Sequence, residues 1–222
     1  MGRLQSNGPE AQAYQSDGYV LLEQLFPPLV LGIFHEKLKK DLNLRNDSSF
    51  VSTTPLLSKP AIHVYSGRYA PMAAFHWGLT PAAAAIAGCE LIPSYAYFRI
   101  YQKDDVCRVH ADRPACEHSM SLLIGSAEDK PWALCIAKER AEVHAPAADE
   151  GFNPGESYGE LPMRAGDAVM YRGVNHRHGR IEPNPNRWSA HLFLHWVDAK
   201  GPYADHAFDR VATGKRLVEE ER

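Results

Sequence analysis

The chain has 222 residues, of which 24 are basic and 27 acidic, giving a formal charge of -3. Hydrophobic residues make up 45% and charged residues 23%, a balance that excludes disordered and fibrous classes and suits one globular domain over residues 1–222. No excess of Lys or Arg pulls it toward nucleic acid or anionic membrane, so small molecules or peptides are the expected partners. Histidine stands out, with 11 copies of the commonest metal-ligating side chain.

Residues 1–16 read as a polar, flexible arm. They lack the apolar run of a signal peptide, and no stretch of the chain approaches the roughly 20 apolar residues of a membrane span. Gly2 with Ser6 meets the loose myristoylation pattern, but no polybasic partner supports an anchor. Cys89, Cys107, Cys116 and Cys135 match no C-x-x-C spacing and read as reduced thiols in a cytoplasmic protein.

Residues 17–92 are expected to be a mainly helical buttress. Gly18 to Leu22 reads as a short strand, and Leu29 to Leu42 as a helix after Pro27-Pro28. Arg45 to Pro60 reads as a long loop, with helical pieces at Ala70–Gly78 and Pro81–Gly88. Residues 93–198 change character. Short β-type runs at 95–102, 106–111, 118–124, 132–137, 168–172 and 187–197 are separated by turns, with no crossover helices between them, which predicts a sandwich or barrel. Residues 138–162 are rich in Ala, Gly, Pro and acidic residues and are too long for a hairpin turn; a lid and a disordered loop are both open readings. Residues 199–222 read as a solvated tail.

His110-Ala-Asp112 places two metal-ligating side chains on one face of a strand. Alone the pair is no better than chance. It gains weight from Gly166-Asp-Ala-Val-Met-Tyr-Arg-Gly173, His178 and Arg187-Trp-Ser189 further on. Two histidines and one carboxylate on one face of a metal are the usual holder of non-haem Fe(II) in oxygenases. Such an iron needs electrons, which a chelating co-substrate such as 2-oxoglutarate supplies; a planar Arg fork suits its distal carboxylate. Strand alternation puts Arg187, Ser189, His191, Phe193 and His195 on one face of 187–196, opposite Trp188, Ala190, Leu192, Leu194 and Trp196. The apolar set can cover helices while the other faces a pocket. Tyr97, Arg99 and Tyr101 likewise share a face.

Taken in order, Tyr97-Phe-Arg-Ile-Tyr101, His110-Ala-Asp112, Arg113-Pro-Ala-Cys-Glu117, the Gly166–Gly173 run, His178 and Arg187-Trp-Ser189 resemble the Fe(II)/2-oxoglutarate-dependent dioxygenase superfamily, near its prolyl-hydroxylase-like branch. The resemblance spans roughly residues 90–200. It implies a mainly β fold with N-terminal helices, the double-stranded β-helix of the jelly-roll/cupin type. It also implies His110, Asp112 and His178 as iron ligands, Arg187 as the anchor of 2-oxoglutarate, and Tyr101 and Ser189 as its assistants. His176 is an alternative to His178, since both lie within the family's usual spacing of Arg187. Retention of Asp112, where halogenases of the family carry a small residue, favours hydroxylation.

The implied reaction is hydroxylation of a C–H bond in a small-molecule, amino-acid-derived or peptidyl substrate. It consumes O2 and 2-oxoglutarate and releases succinate and CO2, with ascorbate as a conceivable reductant. The rivals are a cupin-like metal-binding or sensory protein without turnover and a zinc-dependent hydrolase. The loops 138–162 and 45–60 are the expected water-excluding lids.

Overall fold

A computed structural model describes residues 5–141 and 148–209. Its three helices all precede the main β region: α1 (Pro9–Asp17), α2 (Pro28–Asp41) and α3 (Ala70–Ala87). The strands are β1 (Tyr19–Leu22), β2 (Val51–Ser52), β3 (Ala61–Tyr65), β4 (Leu91–Gln102), β5 (Cys107–His110) and β6 (His118–Ser126). There follow β7 (Leu134–Ala137), β8 (Tyr158–Leu161), β9 (Ala168–Tyr171), β10 (His178–Arg180) and β11 (Trp188–Asp198).

The strands form two antiparallel sheets, one ordered β1-β9-β6-β11-β4-β3-β2 and the other β5-β10-β7-β8. This is the double-stranded β-helix expected from the sequence. The alternation proposed for 187–196 is present from Trp188 onward, and Arg187 departs from it. Trp188, Ala190, Leu192, Leu194 and Trp196 enter the core shared with the helices, while Ser189, His191, Phe193 and His195 turn toward the second sheet. All three helices cover the outer face of the large sheet. Leu31, His35 and Leu38 of α2 are buried at helical spacing, and His35 meets Trp188 edge-on at 5.3 Å. His76 of α3 meets Trp196 at 4.7 Å, and Trp196 Nε1 donates to Thr80 Oγ1 at 2.9 Å. Burial of such side chains, roughly 1.5–3 kcal/mol each, is what holds the helices to the sheet.

Four expectations need correction. The arm at residues 1–16 contains α1 from Pro9 onward, whose Ala11 and Tyr14 are buried and whose Tyr14 hydroxyl bonds His118 Nδ1 at 2.7 Å. A polar sequence with two apolar anchors reads as an arm only until the surface those anchors meet is known. The two helical pieces at 70–88 are one helix, with Pro81 inside it. Burial of Met72, His76, Leu79, Ala83 and Ile86 outweighs the roughly 3 kcal/mol cost of an interior proline. Besides the expected short strand β1, the buttress 17–92 contributes β2 and β3 to the large sheet, with β2 inside the loop expected at 45–60. Residues 138–162 contribute β8, and Asp149 bridges to Val109. The tail beyond 209 lies outside the described residues.

Among the described residues no helix is long and apolar enough to cross a membrane. The four cysteines are free thiols.

Candidate metal centre and its cavity

His110 ends β5 and His178 begins β10, and the two are directly paired across the strands. Their rings come within 4.5 Å of each other. The chain then leaves β5, and the Asp112 backbone N–H donates to the Gly173 carbonyl at 2.9 Å, which turns its carboxylate back toward both imidazoles. Gly173 is required here. A Cβ on it would lie 2.2 Å from Asp112 Oδ2, so the Tyr-Arg-Gly turn gives up its side-chain space to the carboxylate.

The tautomers follow from the hydrogen bonds. His110 Nδ1 lies 2.8 Å from the Arg108 carbonyl and His178 Nδ1 2.8 Å from the His176 carbonyl, so each Nδ1 carries the donated proton. Each Nε2 is left with a bare lone pair, and both face Asp112 Oδ1 at 3.6 Å. Three electron-rich atoms therefore converge with no proton between them, an arrangement that a cation satisfies. The ligand atoms all lie within 4.8 Å of one another. Burial pulls the His178 pKa down to about 4, which keeps its lone pair free. Burial works against ionisation of Asp112, and positive charge beside it, on His178 first and then His110, holds its carboxyl below the usual range; with both rings neutral, a bound cation would take that place. Ser119 donates to Asp112 Oδ2 at 3.0 Å and bonds His195 Nδ1 at 2.9 Å, which fixes the carboxylate from behind.

Asp112, Cys116 and His195 form a second group of potential ligands. It shares Asp112 with the first. Cys116 is engaged with the Tyr95 hydroxyl at 3.1 Å and His195 Nδ1 with Ser119, while His195 Nε2 is buried without a partner among the described residues.

His176 is not part of the triad. Its Nδ1 bonds the Ala137 carbonyl at 2.8 Å, and its Nε2 lies against Gly18, where a Cβ would approach to 2.2 Å.

The triad sits in a cavity of about 270 Å³ between the two sheets, lined also by Tyr97, Arg99, Tyr101, Tyr171, Arg180 and Phe193. Tyr101 faces it as expected, and its hydroxyl accepts from Arg99 Nη1 at 3.1 Å. Arg187 does not. Its side chain is 75% exposed and bonds Glu128 Oε1 through Nε at 2.5 Å, with its backbone N–H on Glu128 Oε2 at 2.8 Å. The cause is local. Strand β11 begins only at Trp188, and the Asn184–Asn186 turn before it breaks the alternation that would aim Arg187 inward. Ser189 is buried, yet its hydroxyl donates to Asn184 Oδ1 at 3.0 Å, inside that same turn.

A buried cation on the strand of His178 does line the cavity: Arg180, two residues after His178 on the same face of β10. It is 1% exposed. Its guanidinium donates to the Trp132 carbonyl at 2.8 Å and contacts Ser121 Oγ, His191 Nδ1 and Met163 Sδ, each at 3.3 Å, while lying over the Trp132 ring. None of these partners is anionic, and burial pushes its pKa down. A buried guanidinium without a counter-charge is costly unless an anion joins it. The sequence signal was His178-Gly-Arg180, a period-two pair. It is obscured because β10 has only three residues with glycine in the middle. That glycine is needed, since a Cβ on Gly179 would meet the Cys107 carbonyl at 2.7 Å where β5 passes.

No family model matches the chain, and no curated protein does. Solved structures do match. The non-haem α-ketoglutarate-dependent carbocyclase SnoK from nogalamycin biosynthesis superposes with a TM-score of 0.69 at 12% identity, over 90% of this chain and 88% of its own. HygX from Streptomyces hygroscopicus, solved with nickel and 2-oxoglutarate, gives 0.63 at 11% identity, over 86% and 87%. A prolyl-4-hydroxylase from Pseudomonas putida gives 0.56 at 12% identity, over 83% and 96%. At such identities the likeness is one of fold: the chain has the architecture that these 2-oxoglutarate-dependent enzymes share.

Proposed function

We propose that the protein is an Fe(II)- and 2-oxoglutarate-dependent oxygenase that hydroxylates a C–H bond of a small-molecule, amino-acid-derived or peptidyl substrate. The observation that carries this reading is the pair of unprotonated Nε2 atoms and one carboxylate oxygen converging in a cavity that also holds an unpaired buried arginine. The solved structures of similar fold, several of them bound to 2-oxoglutarate, support it.

His110, Asp112 and His178 would hold the iron, and Arg180 with Tyr101 would receive the far carboxylate of 2-oxoglutarate. Arg180 thereby takes the part the sequence assigned to Arg187. When bound, iron and 2-oxoglutarate together supply the O2-derived oxidant, with release of succinate and CO2. The chain's own residues supply geometry and charge. The two backbone carbonyls at His110 and His178 fix the rings, and Ser119 holds Asp112 against rotation. Tyr171 packs its ring on His178 at 4.5 Å and, with Tyr97 and Phe193, walls the centre from water.

A zinc hydrolase would require a second carboxylate as base beside the metal. Among the described cavity residues Asp112 is the sole acid.

The test is an anaerobic titration. Fe(II) and 2-oxoglutarate together should produce a visible charge-transfer band in the wild-type protein, and aerobic turnover should yield succinate. Absence of the band, or an unchanged band in Asp112→Ala, sinks the proposal.

A further inference from the structure

The cavity contains a second buried guanidinium that the proposed co-substrate leaves unmatched. Arg99 lies on β4 in the inward row Tyr95, Tyr97, Arg99, Tyr101 and is 5% exposed. It is held by neutral groups only. Nε donates to His63 Nδ1 at 3.3 Å and Nη1 to the Tyr101 hydroxyl at 3.1 Å. The Tyr97, Tyr101 and Phe193 rings surround it at 5.1, 5.3 and 5.5 Å. Nη1 and Nη2 together keep three N–H groups without a protein acceptor among the described residues, and a pair of parallel N–H donors is the shape that grips a planar carboxylate. Next to it, His63 receives the Arg99 proton on Nδ1, so its Nε2 carries hydrogen, and that buried atom too has no partner.

Counting charge gives the same answer, and here the argument rests on the function proposed above. A divalent iron and doubly charged 2-oxoglutarate cancel, as do Asp112 and Arg180. Arg113 at the cavity edge is paired with Asp209 at 2.6 Å. Arg99 remains as one buried positive charge in a low-dielectric site, where leaving it unmatched is expensive. Cation–π contact with three rings offsets only part of that cost.

We propose that Arg99 binds the substrate, and that the substrate is a small molecule carrying a carboxylate. The guanidinium edge would take the carboxylate, and the aromatic row of β4 and β11 would contact the apolar body. The site therefore selects acids over their neutral amides.

The experiment uses the full chain loaded anaerobically with Fe(II) and 2-oxoglutarate, with the charge-transfer band reporting co-substrate occupancy. Matched acid and primary-amide pairs, from propionate and propionamide to 3-phenylpropionate and 3-phenylpropanamide, are then titrated and followed by calorimetry. We expect at least one acid to bind about tenfold or more tightly than its amide while the band persists. Arg99→Gln should abolish that preference and change 2-oxoglutarate affinity by less than about threefold, whereas Arg99→Lys, which keeps the charge but not the fork, should retain part of it.

Three results overturn the inference while leaving the oxygenase reading intact: no acid preference in the wild type, a preference that survives in Arg99→Gln, or acids that act only by displacing 2-oxoglutarate. A loss of 2-oxoglutarate binding in a folded Arg99→Gln protein does the same, by assigning Arg99 to the co-substrate. Absence of the band in the wild type overturns both.

Discussion

Strand β10 and the start of β11 lie seven residues apart in sequence and were expected to divide the work, one carrying a metal ligand and the other an arginine anchor. The structure instead brings His178 together with a different arginine, Arg180, on β10. His178 and Arg180 are 3% and 1% exposed and face one cavity, whereas Arg187 points into solvent on Glu128. What separates them is the support each backbone receives. β10 is clamped between β5 and β7, so its alternation is enforced on both sides. Arg187 precedes the first paired residue of β11 and follows a turn organised by Asn184 and Asn186, so no ladder dictates its direction. A surface arginine with a carboxylate beside it contributes little to stability, and its loss is correspondingly mild.

The comparison can be broken most forcefully at the metal. Asp112→Ala removes the oxygen that both imidazoles face and should weaken Fe(II) binding by more than about 100-fold, measured by metal content after dialysis. Next comes the contrast itself. Arg180→Gln should weaken 2-oxoglutarate binding by about 10- to 100-fold, the worth of a charge-assisted hydrogen bond, while Arg187→Ala should stay within about twofold. The reverse ranking in the charge-transfer titration would restore the anchor to β11. Ser119→Ala should cost about tenfold in iron affinity, because Asp112 loses the hydroxyl that orients it.

The smallest effect is on stability and concerns histidines outside the cavity. Burial holds His35 and His118 at about 4 and His76 at about 3, against an ordinary value near 6.5. The unfolded chain therefore takes up protons below pH 6.5 that the folded chain refuses. The stability these groups contribute is complete above pH 6.5 and drains away as the pH falls toward 4. The melting temperature should fall by several degrees between pH 7.5 and pH 5.5. A flat profile would show that these rings are not held neutral.

Much of the site was legible in the sequence because it rests on short-range spacing. His110 and Asp112 are two residues apart, and the Tyr-Arg-Gly turn before His178 contains the glycine that the Asp112 carboxylate requires. The inward and outward faces of β11 also followed from alternation. The histidine count divided less simply. His110 and His178 belong to the triad, His191 and His195 lie near it, and His35, His76 and His118 serve packing or hydrogen bonding within the core.

What the amino-acid sequence determined by itself was a strand-rich β region and the close pair His110 and Asp112, since periodicity and close spacing act through the local backbone. The tertiary structure alone decided which arginines are buried. That choice depends on how far each strand is paired, on Glu128 waiting at the surface for Arg187, and on the lack of a carboxylate partner for Arg180 and Arg99 among the described residues, all of which are set by residues distant in the chain.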